Sequence, residues 1–119
     1  DPETGQRIDP DEPNAVKLEM FVFDALPLSE KSVVLETKRE EEFAPIKNAS
    51  GVDSAESSKR LQIERAARWL ESAGVKIPRK SDGTVDAVIE LSPRTAVEPA
   101  DLQEADLPES VEAGSQVVL

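Results

Sequence analysis

The apolar positions of this chain fall into one helical stripe and several short runs. Over residues 17–26, Lys-Leu-Glu-Met-Phe-Val-Phe-Asp-Ala-Leu, alternation predicts a strand. Leu18, Met20 and Val22 share one face, and Phe21, Phe23 and Ala25 share the other. Both faces are apolar from Met20 to Phe23, the pattern of an interior strand covered on two sides. Asp24 breaks the pattern at the carboxyl end, and Pro27 stops the ladder. A second strand is predicted over Ser32–Thr37, centred on Val33-Val34-Leu35.

The period then changes. Asn48–Ser54 reads as a turn, with Asp53 or Ser54 as a helix cap and Glu56 three residues after Asp53 as a variant of the capping box. From Ala55 to Ala73, Ile63, Ala66, Ala67 and Leu70 recur at helical spacing, and Trp69 and Ala73 widen the stripe. Gly74 is a natural stop. Ser81-Asp82-Gly83-Thr84 predicts a tight turn, Val85–Leu91 a third strand ended by Pro93, and Gly114–Leu119 a short terminal strand through Val117, Val118 and Leu119.

The order is β-β-α-β, an α/β class. Phe21, Phe23, Val33, Val34, Leu35 and Trp69 are expected to supply most of the core. One helix cannot cover a strand that is apolar on both faces, so the chain reads as part of a larger α/β protein. Residues 1–15 read as an acidic linker, 16–93 as the foldable part, and 94–119 as an acidic tail with a possible terminal strand. Such ends bury little by themselves and are expected to be loose or to lean on something else.

Composition narrows the chemistry. With 119 residues there is room for one modest domain. A net charge of −11 argues against nucleic acid and against an anionic membrane surface as partners. A local group of Lys and Arg could still hold an anionic small molecule. The chain has no Cys and no His, which excludes disulfides, thiol nucleophiles, His-based triads and soft-metal sites within it. Any metal would take oxygen ligands, as Mg²⁺, Mn²⁺ or Ca²⁺ do. No apolar run reaches membrane-spanning length. The start at Asp1 reads as that of an excised piece, and a cytoplasmic origin is expected.

Arg39-Glu40-Glu41-Glu42-Phe43-Ala44-Pro45-Ile46-Lys47-Asn48 is the most informative stretch. Pro45 fixes a bend, and Lys47 and Asn48 follow it, able to hold a phosphate and a ligand hydroxyl. The plain alternative is a solvated loop lysine. Phe21 and Phe23 could wall an apolar part of a ligand, or be ordinary core. Asp24 could be a metal carboxylate, or a turn residue bonding its own backbone. Glu40, Glu41 and Glu42 read as a solvated face, and Arg60, Arg65 and Arg68 as helix surface. There is no Gly-rich phosphate loop, so the 119 residues lack a complete active site.

Taken together, Glu19-Met20-Phe21-Val22-Phe23-Asp24, the Arg39–Asn48 string, the strand between them, the helix after Gly51 and Ile89-Glu90-Leu91-Ser92-Pro93 resemble the eukaryotic-type UDP-N-acetylhexosamine pyrophosphorylases, within the UDP-sugar pyrophosphorylase family. The resemblance covers about residues 17–93. It implies the C-terminal part of a Rossmann-like (GT-A) nucleotidyltransferase sheet. It further implies transfer of uridylyl from UTP to an N-acetylhexosamine 1-phosphate, with release of pyrophosphate and with Mg²⁺. On that resemblance Lys47 would be catalytic at the phosphates, and Phe21 and Phe23 would lie beside the sugar; Asn48 as a substrate contact rests on its place next to Lys47. Asp24 as a metal ligand goes beyond it. The other readings are a glucose 1-phosphate uridylyltransferase and a non-catalytic acidic interaction module. The family's Gly-rich nucleotide loop is not in this chain, which would then need the rest of its own catalytic domain.

Overall fold

In the computed structural model, which describes residues 1–119, the chain forms two units, Asp1–Leu35 and Glu36–Leu119.

No residue of the first unit is buried. Residues 17–26 are not a strand. Their end enters a 3₁₀ helix, Val22–Leu28, which contains Pro27. The Asp24 carboxylate accepts a hydrogen bond from the Phe21 amide at 3.0 Å, and the Asp24 amide donates to the Phe21 carbonyl at 3.0 Å. The physical reason is the absence of a ladder. A strand has no backbone partner of its own, so without neighbours these short local bonds win. Ser32–Thr37 forms no strand either. The order β-β-α-β is therefore corrected to helix first and strands last. Phe21, Phe23, Val33, Val34 and Leu35 are all exposed and supply no core here.

The second unit begins with a single helical turn, α1 (Arg39–Glu42), followed by the long helix α2 (Ala55–Ser72). The helix starts where Ser54 Oγ accepts from the Ser57 amide and Ser57 Oγ accepts from the Ser54 amide, at 3.2 and 2.9 Å. This is a reciprocal cap built from two serines rather than from Asp53 and Glu56. It ends at Ala73, with Gly74 at φ 93°, a conformation that an L side chain rarely adopts. Ala66, Ala67, Trp69 and Leu70 form its buried face, as the apolar stripe predicts.

Strand β1 (Val88–Glu90) pairs in parallel with β2 (Gln116–Val118), and Ile89 stands opposite Val117. These lie inside the third and terminal strands read from the sequence. The crossover between them carries a 3₁₀ helix, Pro99–Gln103, whose Leu102 is only 2% exposed. Val111 is buried too. The acidic tail is thus packed onto the helix rather than loose, because Ala96, Leu102 and Val111 are buried in the same core and Leu107, Val117 and Leu119 pack against it. Arg79 closes the preceding turn onto α2. It donates to both carboxylate oxygens of Glu71 at 3.0 Å, to Glu64 at 3.1 Å and to the Gly83 carbonyl at 2.9 Å.

The observed architecture is one helix against a two-stranded parallel sheet, compatible with the α/β class.

Candidate functional site

The loop carrying Lys47 is fixed at three places, all within the second unit. At its start, α1 is tied to α2. Arg65 donates to the Glu41 carbonyl at 3.1 Å, and Arg68 donates to the Glu40 carbonyl at 3.2 Å. The Glu41 carboxylate accepts from Arg68 through Oε1 and from the Trp69 indole through Oε2, both at 2.8 Å. In the middle, the buried hydroxyl of Ser58 donates to the Ala44 carbonyl at 2.7 Å, just before Pro45. At its end, the amides of Lys47 and Asn48 both donate to the Asp53 carbonyl, at 2.6 and 2.9 Å. The Asn48 side-chain amide adds a bond to the Val52 carbonyl at 2.7 Å. Asp53 holds φ at 56°, and Ser54 behind it is buried.

The result is an exposed lysine on a pinned backbone. Lys47 makes no ion pair. A compact ammonium without an internal partner is free to meet an anion, and a fixed backbone lowers the entropy lost in doing so. Asn48 differs: its side chain already closes the turn, so a ligand would have to compete with Val52 for its amide. Lys47 does not line the groove of about 1030 Å³ between α2 and the sheet, which is bounded by Trp69, Val88, Leu91 and Val117 among others.

Phe21 caps the N-terminal 3₁₀ helix and Phe23 lies inside it, at 58% and 69% exposure, so they do not share the face of a strand. Asp24 spends one carboxylate oxygen on the Phe21 amide. No group of three or more Asp or Glu residues gathers as a metal cage would require. The chain therefore supplies no all-protein cation cage, whereas Mg²⁺ commonly takes one or two carboxylates and completes its shell with water and phosphate oxygens.

Sequence reasoning missed the role of Glu41. The acidic run reads as solvated, yet Glu41 is the link between α1 and α2. Burial pushes its carboxyl up, but hydrogen bonds from Arg68 and Trp69 and the charges of Arg68 and Arg65 outweigh that and hold it below the usual value of 4.5. Two stacking contacts accompany the link, Arg65 over the Trp69 ring at 4.9 Å and Arg39 over the Phe43 ring at 4.2 Å. The only available signal was a pair of arginines three positions apart on the helix, Arg65 and Arg68, beside a lone Trp.

Comparison with known proteins supplies the context that this geometry lacks. The chain is 39% identical over 95 residues to the probable UDP-N-acetylglucosamine pyrophosphorylase of Dictyostelium discoideum, a match covering 77% of this chain and 19% of that protein. It is 43% identical over 76 residues to the UDP-N-acetylglucosamine pyrophosphorylase of Saccharomyces cerevisiae, covering 60% and 16%. It is 33% identical over 105 residues to the UDP-N-acetylhexosamine pyrophosphorylase-like protein 1 of Mus musculus, covering 76% and 21%. No family model and no solved structure matches it. The chain is thus a homologue of a segment of the UDP-sugar pyrophosphorylases. Within that class, its relatives are those named for UDP-N-acetylglucosamine and UDP-N-acetylhexosamine. The chain spans about a fifth of the length of these curated relatives.

Proposed function

We propose that this chain is the C-terminal part of an enzyme that transfers uridylyl from UTP to an N-acetylhexosamine 1-phosphate. In that reaction a phosphate oxygen of the sugar 1-phosphate attacks the α-phosphorus of UTP. The bond from that phosphorus to the bridging oxygen breaks, and pyrophosphate leaves. The single observation carrying this reading is the shared identity with several proteins that are all named as pyrophosphorylases.

Lys47 is the catalytic cation of the proposal. Its ammonium would neutralise charge that builds on the phosphoryl oxygens in the transition state, and a charge fixed in advance does this without reorganisation. The pinned Ala44–Asn48 backbone supports that role. Phe21 and Phe23 would offer apolar surface to the sugar's N-acetyl group, and their exposure supports a function outside the core. The apolar segment from Leu18 to Leu35 would find its covering layers in the rest of the catalytic domain. Asn48 would contribute through its backbone position more than its occupied side chain. Mg²⁺ belongs to the proposal only as the family's metal, with Asp24 offering at most one carboxylate oxygen.

The test is pyrophosphate release by the full-length protein with UTP and a panel of sugar 1-phosphates. Turnover with N-acetylglucosamine or N-acetylgalactosamine 1-phosphate well above that with glucose 1-phosphate is expected. No turnover with any sugar 1-phosphate would remove the reading.

A further inference from the structure

Glu41 is the one side chain that joins the Lys47 loop to two residues of α2 at once. Its oxygens are divided, Oε1 to Arg68 and Oε2 to the Trp69 indole. Its own carbonyl and that of Glu40 receive Arg65 and Arg68. Both carboxylate oxygens and both neighbouring carbonyls are therefore committed to a single helix face. Four hydrogen bonds from charged or aromatic donors hold a helical turn too short to be stable alone. The carboxylate keeps only 27% of its side-chain exposure, so solvent screens the pair incompletely.

From this turn the chain has only one short path to Lys47. It passes the Ala44 carbonyl, held by Ser58, and the Pro45 ring, and reaches amides held by Asp53. Glu41 is therefore the first of the three anchors on this path, and its release leaves residues 43–48 held by the Ser58, Val52 and Asp53 bonds alone. We propose that Glu41 is a positioning residue for Lys47, a latch that docks Arg39–Asn48 on α2 so that the ammonium meets phosphate from one fixed place. This rests on the phosphate role proposed for Lys47.

The latch is tested in the full-length protein by Glu41→Ala, Glu41→Gln and Arg68→Ala, each alone and with Lys47→Ala. Glu41→Ala is expected to lower kcat about tenfold with little change in the KM for UTP, because orientation rather than binding is lost. Glu41→Gln keeps one acceptor oxygen and is expected to recover part of kcat. Arg68→Ala, which leaves the indole bond, gives a smaller loss. On the Lys47→Ala background, Glu41→Ala should cost nothing further, since the two act through one group. Amide hydrogen exchange is the second readout. It should rise about tenfold or more at residues 43–48 in Glu41→Ala, with the middle of α2 unchanged. Wild-type kcat in Glu41→Ala, additive losses in the double variant, or exchange rising equally along α2 would each overturn the latch. Full turnover in Lys47→Ala alone would remove the phosphate role instead, while the exchange pattern would still report on the docking.

Discussion

The Trp69 indole nitrogen donates to Glu41 Oε2 at 2.8 Å, across 28 residues of chain. This bond joins the one tryptophan of these 119 residues to the loop that carries the candidate cation. It makes that loop visible to a single optical probe.

The first prediction concerns pH. Glu41 sits below the ordinary carboxylate value of 4.5 in the folded chain and returns to it on unfolding. The folded state thus binds fewer protons, and the stabilisation is fully present above the ordinary value. It is lost as pH falls through the lower, folded value. Trp69 emission should accordingly hold steady from neutral pH down to the ordinary carboxylate range and change only below it. Glu41→Gln should abolish that acid transition, and an identical transition in the variant would count against the assignment.

The second prediction concerns the lysine. Lys47→Ala in the full-length enzyme should lower turnover by roughly a hundredfold or more, the usual effect of losing one charge contact made in the transition state. Its thermal midpoint should stay near wild type, because the side chain is exposed and unpaired. Steady-state pyrophosphate release and a melting curve decide the matter together.

A third prediction tests whether the acidic tail is structural. Leu102 is almost fully buried, and Leu102→Ala should destabilise the chain by about 2–4 kcal/mol through lost burial and a residual cavity. Urea unfolding reads this directly. A change near zero would mean that the tail does not share the core.

Arg79 carries the fourth. Its guanidinium bonds both oxygens of Glu71 and one of Glu64, whose other oxygen accepts from the Val85 amide at 3.0 Å. Arg79→Ala should cost about 1–2 kcal/mol, reduced by solvent at a site one-third exposed. Arg79→Lys should restore less than half, because an ammonium cannot reproduce the bidentate fork. Equal stability of the Lys variant and wild type in urea would contradict the geometry.

Helix α2 was legible from residues alone because its information is local. The spacing of Ile63, Ala66, Ala67 and Leu70 states a face, and Gly74 states an end. The strand at Ile89 and the one at Val117 were legible from the same kind of pattern. The resemblance carried by Arg39–Asn48 also came from residues in a row. What the sequence alone determined is therefore the contiguous: one stripe, two short strands, and one string of family residues.

Tertiary structure decided the rest. Phe21 and Val33 look like strand residues, but a strand is a relation between two segments, and the first unit offers no second segment to bond. Glu41 looks like a solvated charge because its partners stand far away in sequence, and only folding brings an indole and a guanidinium to it. Periodicity registers what neighbours along the chain have in common, whereas pairing and desolvation depend on distances that no run of letters contains.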